Sequence, residues 1–130
     1  MGANSFQFVV PGVPVPWART NTVKGKRITP KRSREYRESV QHYGRFSAWG
    51  RAPTPRLGGW QTDKRYAVRI DVYRNGVRYD LDNMQKMVGD ALEGILWDND
   101  AQIDQWESER HYDKDNPRLE VTVKVLEDGA

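Results

Sequence analysis

The stretch Met84-Gln85-Lys86-Met87-Val88-Gly89-Asp90-Ala91-Leu92-Glu93-Gly94-Ile95 decides how this chain is read. Met84, Met87, Val88, Ala91, Leu92 and Ile95 stand at offsets 0, 3, 4, 7, 8 and 11, the apolar stripe of an amphipathic helix. Asp82 suits the cap of that helix and Gly94 its stop. Upstream, Tyr66, Val68, Ile70 and Val72 alternate with Ala67, Arg69, Asp71 and Tyr73, which predicts a central strand. Asn75-Gly76 is a turn signal that closes that strand or opens a short hairpin. Downstream, Leu119, Val121, Val123 and Val125 alternate with Glu120, Thr122 and Lys124 in a final strand.

The remaining elements are arranged around this centre. Ser5 to Val10 alternates with Phe6, Phe8 and Val10 on one face, and Pro11-Gly12 ends that strand. Pro14 and Pro16 then keep the chain extended and unpaired. Arg19 to Ile28 is polar and basic, with a turn at Lys24-Gly25-Lys26. Thr29-Pro30 signals a helix start, and Tyr36, Val40, Tyr43 and Ser47 form its stripe, with an end between Gly44 and Gly50. Residues 50–65, rich in proline and glycine, read as a long loop. Ile103 to Tyr112 reads as a strand, but Ile103 and Trp106 differ in parity, which predicts an edge position or a bulge. The order β–α–β–α–β–β predicts an α/β (α+β) fold, a small mixed sheet packed with two main helices in one domain over residues 1–130.

Charge is divided along the chain. The net charge is only +3, yet residues 1–60 carry 11 Lys/Arg against two acids, a balance of +9. Residues 80–115 carry 11 acids against three bases, a balance of −8. A basic half beside an acidic cluster suits a polyanion gripped by one part and a metal ion held by the other. Pairing of the two halves between copies of the chain is the alternative source of such a split. A charged content of 30% and a mean hydropathy of −0.88 exclude an integral helical membrane protein, and no run approaches the roughly 18 apolar residues of a spanning helix. Met1 to Val10 lack the pattern of a signal peptide. There is no cysteine, so disulfides, thiolate zinc sites and cysteine nucleophiles are excluded and a cytoplasmic setting is expected. His42 and His111 lack metal-ligand spacing, and no glycine-rich phosphate loop points to a nucleotide cofactor.

The chemistry gathers around the second helix. Asp80 and Asp82 stand two apart where an extended segment enters the helix, a spacing that turns both carboxylates to one side. Lys86 is one turn beyond Asp82, and Asp90 continues the row. Asp98, Asn99, Asp100 and Asp104 crowd the loop after Trp97. Crowded carboxylates repel one another unless a cation joins them, and hard oxygen ligands suit Mg²⁺, or Mn²⁺ in its place. Such a site fits phosphodiester chemistry. The same residues also fit a plainer arrangement, with Asp82 as a cap, Lys86 paired to a neighbouring acid and a polar turn at 98–100.

Arg-Tyr-Asp-Leu-Asp-Asn-Met-Gln-Lys at 78–86, Asp-Ala-Leu-Glu-Gly at 90–94 and Trp-Asp-Asn-Asp-Ala-Gln-Ile at 97–103 resemble the central motif of RusA-like crossover-junction endodeoxyribonucleases. Pro-Gly-Val-Pro-Val-Pro at 11–16 and Thr-Pro-Lys-Arg-Ser-Arg-Glu-Tyr at 29–36 resemble that family's start more loosely. The resemblance implies a homodimeric, Mg²⁺-dependent enzyme that resolves four-way (Holliday) DNA junctions in recombination and repair, in a family often encoded by phages or prophages. It implies that Asp80, Asp82 and Asp100 are metal-binding catalytic carboxylates and that Lys86 is the lysine near the scissile phosphate. The family pattern has two adjacent aspartates before Ala-Gln, where this chain has Asn99-Asp100, so Asp98 stands as the alternate third ligand. Arg19, Lys24, Lys26, Arg27, Lys31, Arg32 and Arg78 are expected to hold DNA phosphates. A nuclease for other branched DNA, or a DNA-binding protein whose metal site has lapsed at Asn99, are the alternatives.

Overall fold

The computed structural model describes residues 5–16, 21–23, 26–28, 31–49, 64–74 and 80–126. Its centre is a mixed four-stranded sheet of β1 (Ser5–Pro11), β4 (Arg65–Arg74), β5 (Ile103–Tyr112) and β6 (Arg118–Leu126), in the order β1-β6-β4-β5. β6 is antiparallel to both β1 and β4, whereas β5 runs parallel to β4. A parallel neighbour requires a crossover, and α2 (Leu81–Ala91) lies in the chain between β4 and β5. β2 (Asn21–Val23) and β3 (Lys26–Ile28) form a separate antiparallel pair, and α1 (Lys31–Trp49) follows them.

Alternation along the strands builds the core. Tyr66, Val68, Ile70 and Val72 of β4 sit opposite Val125, Val123, Val121 and Leu119 of β6, and all are buried. Phe8 and Val10 extend this face across β1, opposite Val121 and Leu119. Met84, Met87, Val88, Ala91, Leu92 and Ile95 are all buried and join these strand residues in one apolar cluster. Both expected main strands and the amphipathic helix are therefore present. The side chain of Phe6, the helix-start pair Thr29-Pro30, most of the 50–65 loop and the Asn75-Gly76 turn lie outside the described residues. Among the described residues no helix is long and apolar enough to cross a membrane.

β5 is an edge strand, and its register slips between Tyr66 and Ala67, whose partners are Ile103 and Gln105. Asp104 is skipped. The slip turns both Ile103 and Trp106 towards the core despite their unequal parity, and both pack against it half-buried.

Three details differ from the sequence reading. The cap of α2 is Asp80, whose Oδ1 accepts from the Asp82 amide at 2.9 Å, so Asp82 belongs to the first turn. A cap reaches the amide two or three residues on, so only a residue just outside the helix can perform that task. The buried stripe of α1 is Ser33, Tyr36, Val40 and Gly44, with Tyr43 and Ser47 only half-buried. The basic segment before α1 contains the short β2–β3 pair rather than only a turn.

Gly44 marks where α1 meets the end of α2. A Cβ added there would lie 2.5 Å from Leu92 Cδ2 and 3.4 Å from Phe8 Cζ. Leu92 is fully buried and has little room to retreat. Gly44→Ala gains about 1 kcal/mol of helix propensity but meets about 1–3 kcal/mol of overpacking, so a net loss of about 1 kcal/mol is expected. A lower midpoint in urea unfolding checks this, and a raised midpoint would show that Leu92 repacks freely.

Candidate active site

The polypeptide leaves α2 and folds back onto it. Gly94 takes φ +83°, a left-handed conformation suited to glycine, and its amide donates to the Trp97 carbonyl at 2.6 Å. Trp97 is fully buried and its Nε1 donates to the Gly89 carbonyl of α2 at 3.0 Å. The Tyr66 hydroxyl donates to the Leu96 carbonyl at 2.8 Å, and the Tyr66 and Trp97 rings pack with centroids 5.5 Å apart. The strand core and the helix thus fix both ends of the returning segment.

Next comes a single 3-10 turn over Asp100–Gln102. Asn99 caps it, with Oδ1 accepting from the Ala101 amide at 2.8 Å. Gln102 closes the reciprocal half of the capping box: its Oε1 accepts from the Asp98 and Asn99 amides at 2.8 and 3.1 Å. Gln102 Nε2 donates to the Lys64 carbonyl at 2.8 Å, tying the turn to the start of β4. Asparagine caps as well as aspartate, so Asn99 fills a structural position that does not depend on a carboxylate.

This arrangement sets Asp100 against α2. A Cβ built on Gly89 would lie 3.7 Å from Asp100 Cβ and 3.6 Å from the Trp106 ring, in van der Waals contact with both. Asp90, the next residue, is half-buried; burial and then the Asp100 charge raise its carboxyl above the usual value, while Lys86 and Arg37 oppose that rise. The charges of Asp100, Lys86 and Arg37 therefore all reach Asp90. Gln85 faces β5, accepting a hydrogen bond from Ser108 Oγ.

Asp80 and Asp82 are exposed at the start of α2. Asp82 is about 10 Å along the helix axis from Gly89, at 1.5 Å per residue. The structure thus brings Asp100 to the Lys86–Asp90 end of the helix, but the carboxylates of Asp80, Asp82 and Asp100 are not gathered within 4.8 Å of one another. Asp98 is exposed just before the Asn99 cap, with its amide held by Gln102. Lys31 and Arg32 are exposed in the first turn of α1, with Lys31 3.6 Å from Glu35, and Lys26 and Arg27 lie on β3. Arg19, Lys24 and Arg78 lie outside the described residues.

Sequence reasoning missed Gly89, Gln102 and Arg37. Only Gln102 left a readable signal, the Asn99-x-x-Gln102 spacing of a capping box. It also missed a second cluster. Asp71, Glu109 and His111 are the trio among the described residues whose ligand atoms do lie within 4.8 Å of one another. They sit on the sheet face opposite the helices, since Asp71 alternates with the core residues of β4. A guanidinium already holds this cluster: Arg69 donates to Asp71 at 2.8 and 3.0 Å, to Glu107 at 2.8 Å and to Glu109 at 3.0 Å. His111 Nε2 is 2.7 Å from Asp71, its ring stacks on Tyr73 at 4.3 Å, and Arg118 covers the other face of Tyr73 at 3.7 Å. A cation would have to displace Arg69, so the group reads as a neutralised structural network.

Residues 11–124 match the family model for endodeoxyribonuclease RusA, and the chain belongs to that family. Membership makes it a nuclease that acts on DNA. No curated protein matches the chain closely enough to add a relative.

The outer network makes a pH prediction. Burial raises the Asp71 carboxyl, but hydrogen bonds and charge from Arg69 and His111 outweigh it and leave it below the usual value. A carboxyl lowered in the folded state contributes stability above its unfolded pKa of about 3.9, lost as pH falls through the lower folded value. Asp71→Asn is expected to be less stable than the wild type at about pH 6, with the gap narrowing below about pH 4. Urea unfolding across that range checks it, and a gap that stays constant contradicts it.

Proposed function

We propose that this protein is a metal-dependent endonuclease that resolves four-way DNA junctions as a homodimer, with one catalytic domain over residues 1–130. The observation that carries the reading is the docking of Asp100 against α2, the helix that bears Lys86 and is capped by Asp80, in a chain of this family. Asp80, Asp82 and Asp100 would hold Mg²⁺, or Mn²⁺ in its place. The donor chemistry fits, although the three carboxylates are not drawn within 4.8 Å of one another: all are exposed, they supply hard oxygens, and Asp80 spends only Oδ1 on its cap. When bound, such an ion lowers the pKa of a water and neutralises charge on a phosphoryl transition state.

The protein's own groups supply the rest. Lys86 presents a fixed positive charge to a non-bridging or leaving oxygen of the scissile phosphate. The rigid clamp of Trp97 and Gln102 keeps Asp100 in place, so little reorganisation is needed during reaction. The first turn of α1 holds no acid and carries Lys31, Arg32 and Arg34, charges that oppose the helix dipole. An anionic partner at that end relieves the conflict, which supports a DNA backbone held by Arg19, Lys24, Lys26, Arg27, Lys31, Arg32 and Arg78. Two copies related by a twofold axis suit a junction in which two strands are cut. The Asn99 side chain serves as a cap, a role that needs no carboxylate, and this supports an intact site over a lapsed one.

Cleavage of a synthetic four-way junction and of a linear duplex of the same sequence, in Mg²⁺, tests the reading. The junction should be cut in paired strands and the duplex left intact, and equal cutting of both would remove junction selectivity. Asp82→Asn and Asp100→Asn should each slow cleavage by about a hundredfold or more, the order seen when one transition-state stabiliser is lost. Asp98→Asn should keep most activity; the reverse pattern at 98 and 100 would move the third ligand by two residues.

Neutralising Lys24, Lys26 and Arg27 together should weaken binding to all sequences alike. Each lost phosphate contact should reduce the log–log salt slope by about 0.9. An unchanged slope would show that these residues do not touch the backbone.

A further inference from the structure

We propose that Tyr112 is a stacking platform for a base of the DNA strand held at the start of α2, and so a residue that favours branched over linear DNA. This rests on the nuclease reading given above. Tyr112 ends β5 and is 70% exposed. A single exposed aromatic is ordinary. What sets this one apart is how firmly the chain on either side of it is held. His111, before it, is 2.7 Å from Asp71 and stacks on Tyr73. Asp113, after it, donates its amide to the Arg74 carbonyl at 2.8 Å and accepts from Arg118 at 3.0 Å. Its other oxygen accepts from the Asp115 and Asn116 amides. Both neighbours are tied to the sheet while the Tyr112 ring stands in solvent. A tyrosine ring has few rotatable bonds and loses little freedom on stacking.

The register shows which way that ring points. Trp106 lies beside Gly89 of α2 and Ser108 donates to Gln85, so this side of β5 faces the helix layer. No register shift intervenes from Gln105 to Tyr112, so Arg110 and Tyr112 point to the same side. The same two contacts show that α2 runs antiparallel to β5, and following β5 onward leads towards the start of the helix. Asp80 lies about 7.5 Å beyond Gln85 along the helix, and Tyr112 about 13 Å beyond Ser108 along the strand. Tyr112 therefore stands just past the exposed Asp80 and Asp82, on their side of the sheet. The basic start of α1 is at this end too. β1 runs parallel to β4, Gly44 meets Phe8 in the middle of β1, and the Ser33 hydroxyl is 3.5 Å from the Pro16 carbonyl oxygen, beyond the end of that strand. A strand with a phosphate seated at Asp80 and Asp82 thus has cations on one flank and an aromatic face on the other, the combination that holds unpaired bases. A base in a linear duplex must leave its stack to reach the ring, a cost that is smallest where pairing is already disrupted, as at a branch point.

Equilibrium binding of the full chain to a synthetic four-way junction and to a linear duplex, in Ca²⁺ so that neither is cut, tests this. Tyr112→Ala should bind the junction about 5- to 100-fold more weakly, the range for losing one base–aromatic stack, and the duplex within about twofold of wild type. Tyr112→Trp keeps an aromatic face and should bind the junction within about threefold of wild type, whereas Tyr112→Leu keeps bulk alone and should lose as much as Tyr112→Ala. An abasic site moved across the exchange point should find one position that weakens wild-type binding as Tyr112→Ala does. At that position it should add less than about twofold in Tyr112→Ala, because ring and base act as one pair. Wild-type affinity in Tyr112→Ala, an equal loss on junction and duplex, or no such position overturns the proposal. A shift from dimer to monomer on Tyr112→Ala, seen by sedimentation, would assign the ring to a contact between copies and overturn it as well. Should Tyr112→Ala fail to fold, Tyr112→Leu decides by the same measures. If the wild type shows no preference for the junction, the reading of junction selectivity fails and this inference with it; if the wild type prefers the junction and Tyr112→Leu matches it, the stacking claim alone fails.

Discussion

The hydrogen bond from the Trp97 indole to the Gly89 carbonyl, made in the dry interior, is the constraint on which the site depends. It turns the chain back along the helix it has just left. Without it, Asp100 would belong to a surface loop with no fixed relation to Lys86. The bond is protected because Trp97 is fully buried against Tyr66, whose hydroxyl reaches the preceding carbonyl at Leu96. A buried hydrogen bond of this kind is costly to break, since each orphaned group loses its only partner. The capping box at Asn99 and Gln102 then sets the orientation of the short turn.

The two faces of the sheet treat charge in opposite ways. On the outer face, Arg69 and Arg118 are surrounded by acids, and each carboxylate they touch is neutralised within the fold. Beside α2 the acids act against one another, and Asp100 works against the ionisation of Asp90. A fold that satisfies its charges in one place and leaves like charges close together in another holds the second arrangement at an energetic disadvantage. Lys86 and Arg37 offset the rise at Asp90 only in part, and functional sites are where such perturbed groups collect. That contrast separates the two acidic groups of this chain more clearly than distance does, since the tighter trio is the one already neutralised.

Much of the fold was legible because alternation and helical period survive wherever one face is buried. β4, β6 and α2 obey that rule, and even the parity conflict between Ile103 and Trp106 correctly signalled an irregular edge strand. The β2–β3 pair was not legible, because three-residue polar strands carry too few apolar positions to show a period. Ser33 and Gly44 were missed as buried positions because both are small: Gly44 lies where Leu92 and Phe8 approach closely, and the Ser33 hydroxyl lies 3.5 Å from the Pro16 carbonyl oxygen. In the candidate site, the residue types and spacing were visible, but the cap at Asp80 and the contact at Gly89 were not. The contact at Gly89 depends on the chain folding back over α2, a tertiary event that local pattern does not encode, whereas the cap was misplaced because Asp80 and Asp82 are both good capping residues two apart. The Arg69 network was hidden for a similar reason: Asp71, Glu107, Glu109 and His111 meet through the register of two strands, not through sequence spacing.

The central claim is that the acidic groups around α2, and not the Asp71 trio, receive the metal ion. Titration of isotope-labelled protein with Mn²⁺, followed by paramagnetic broadening of assigned backbone amides, tests it directly. The account predicts that broadening centres on residues 80–82, 86, 89–90 and 98–101. Broadening centred on residues 69–71 and 107–111 would contradict it.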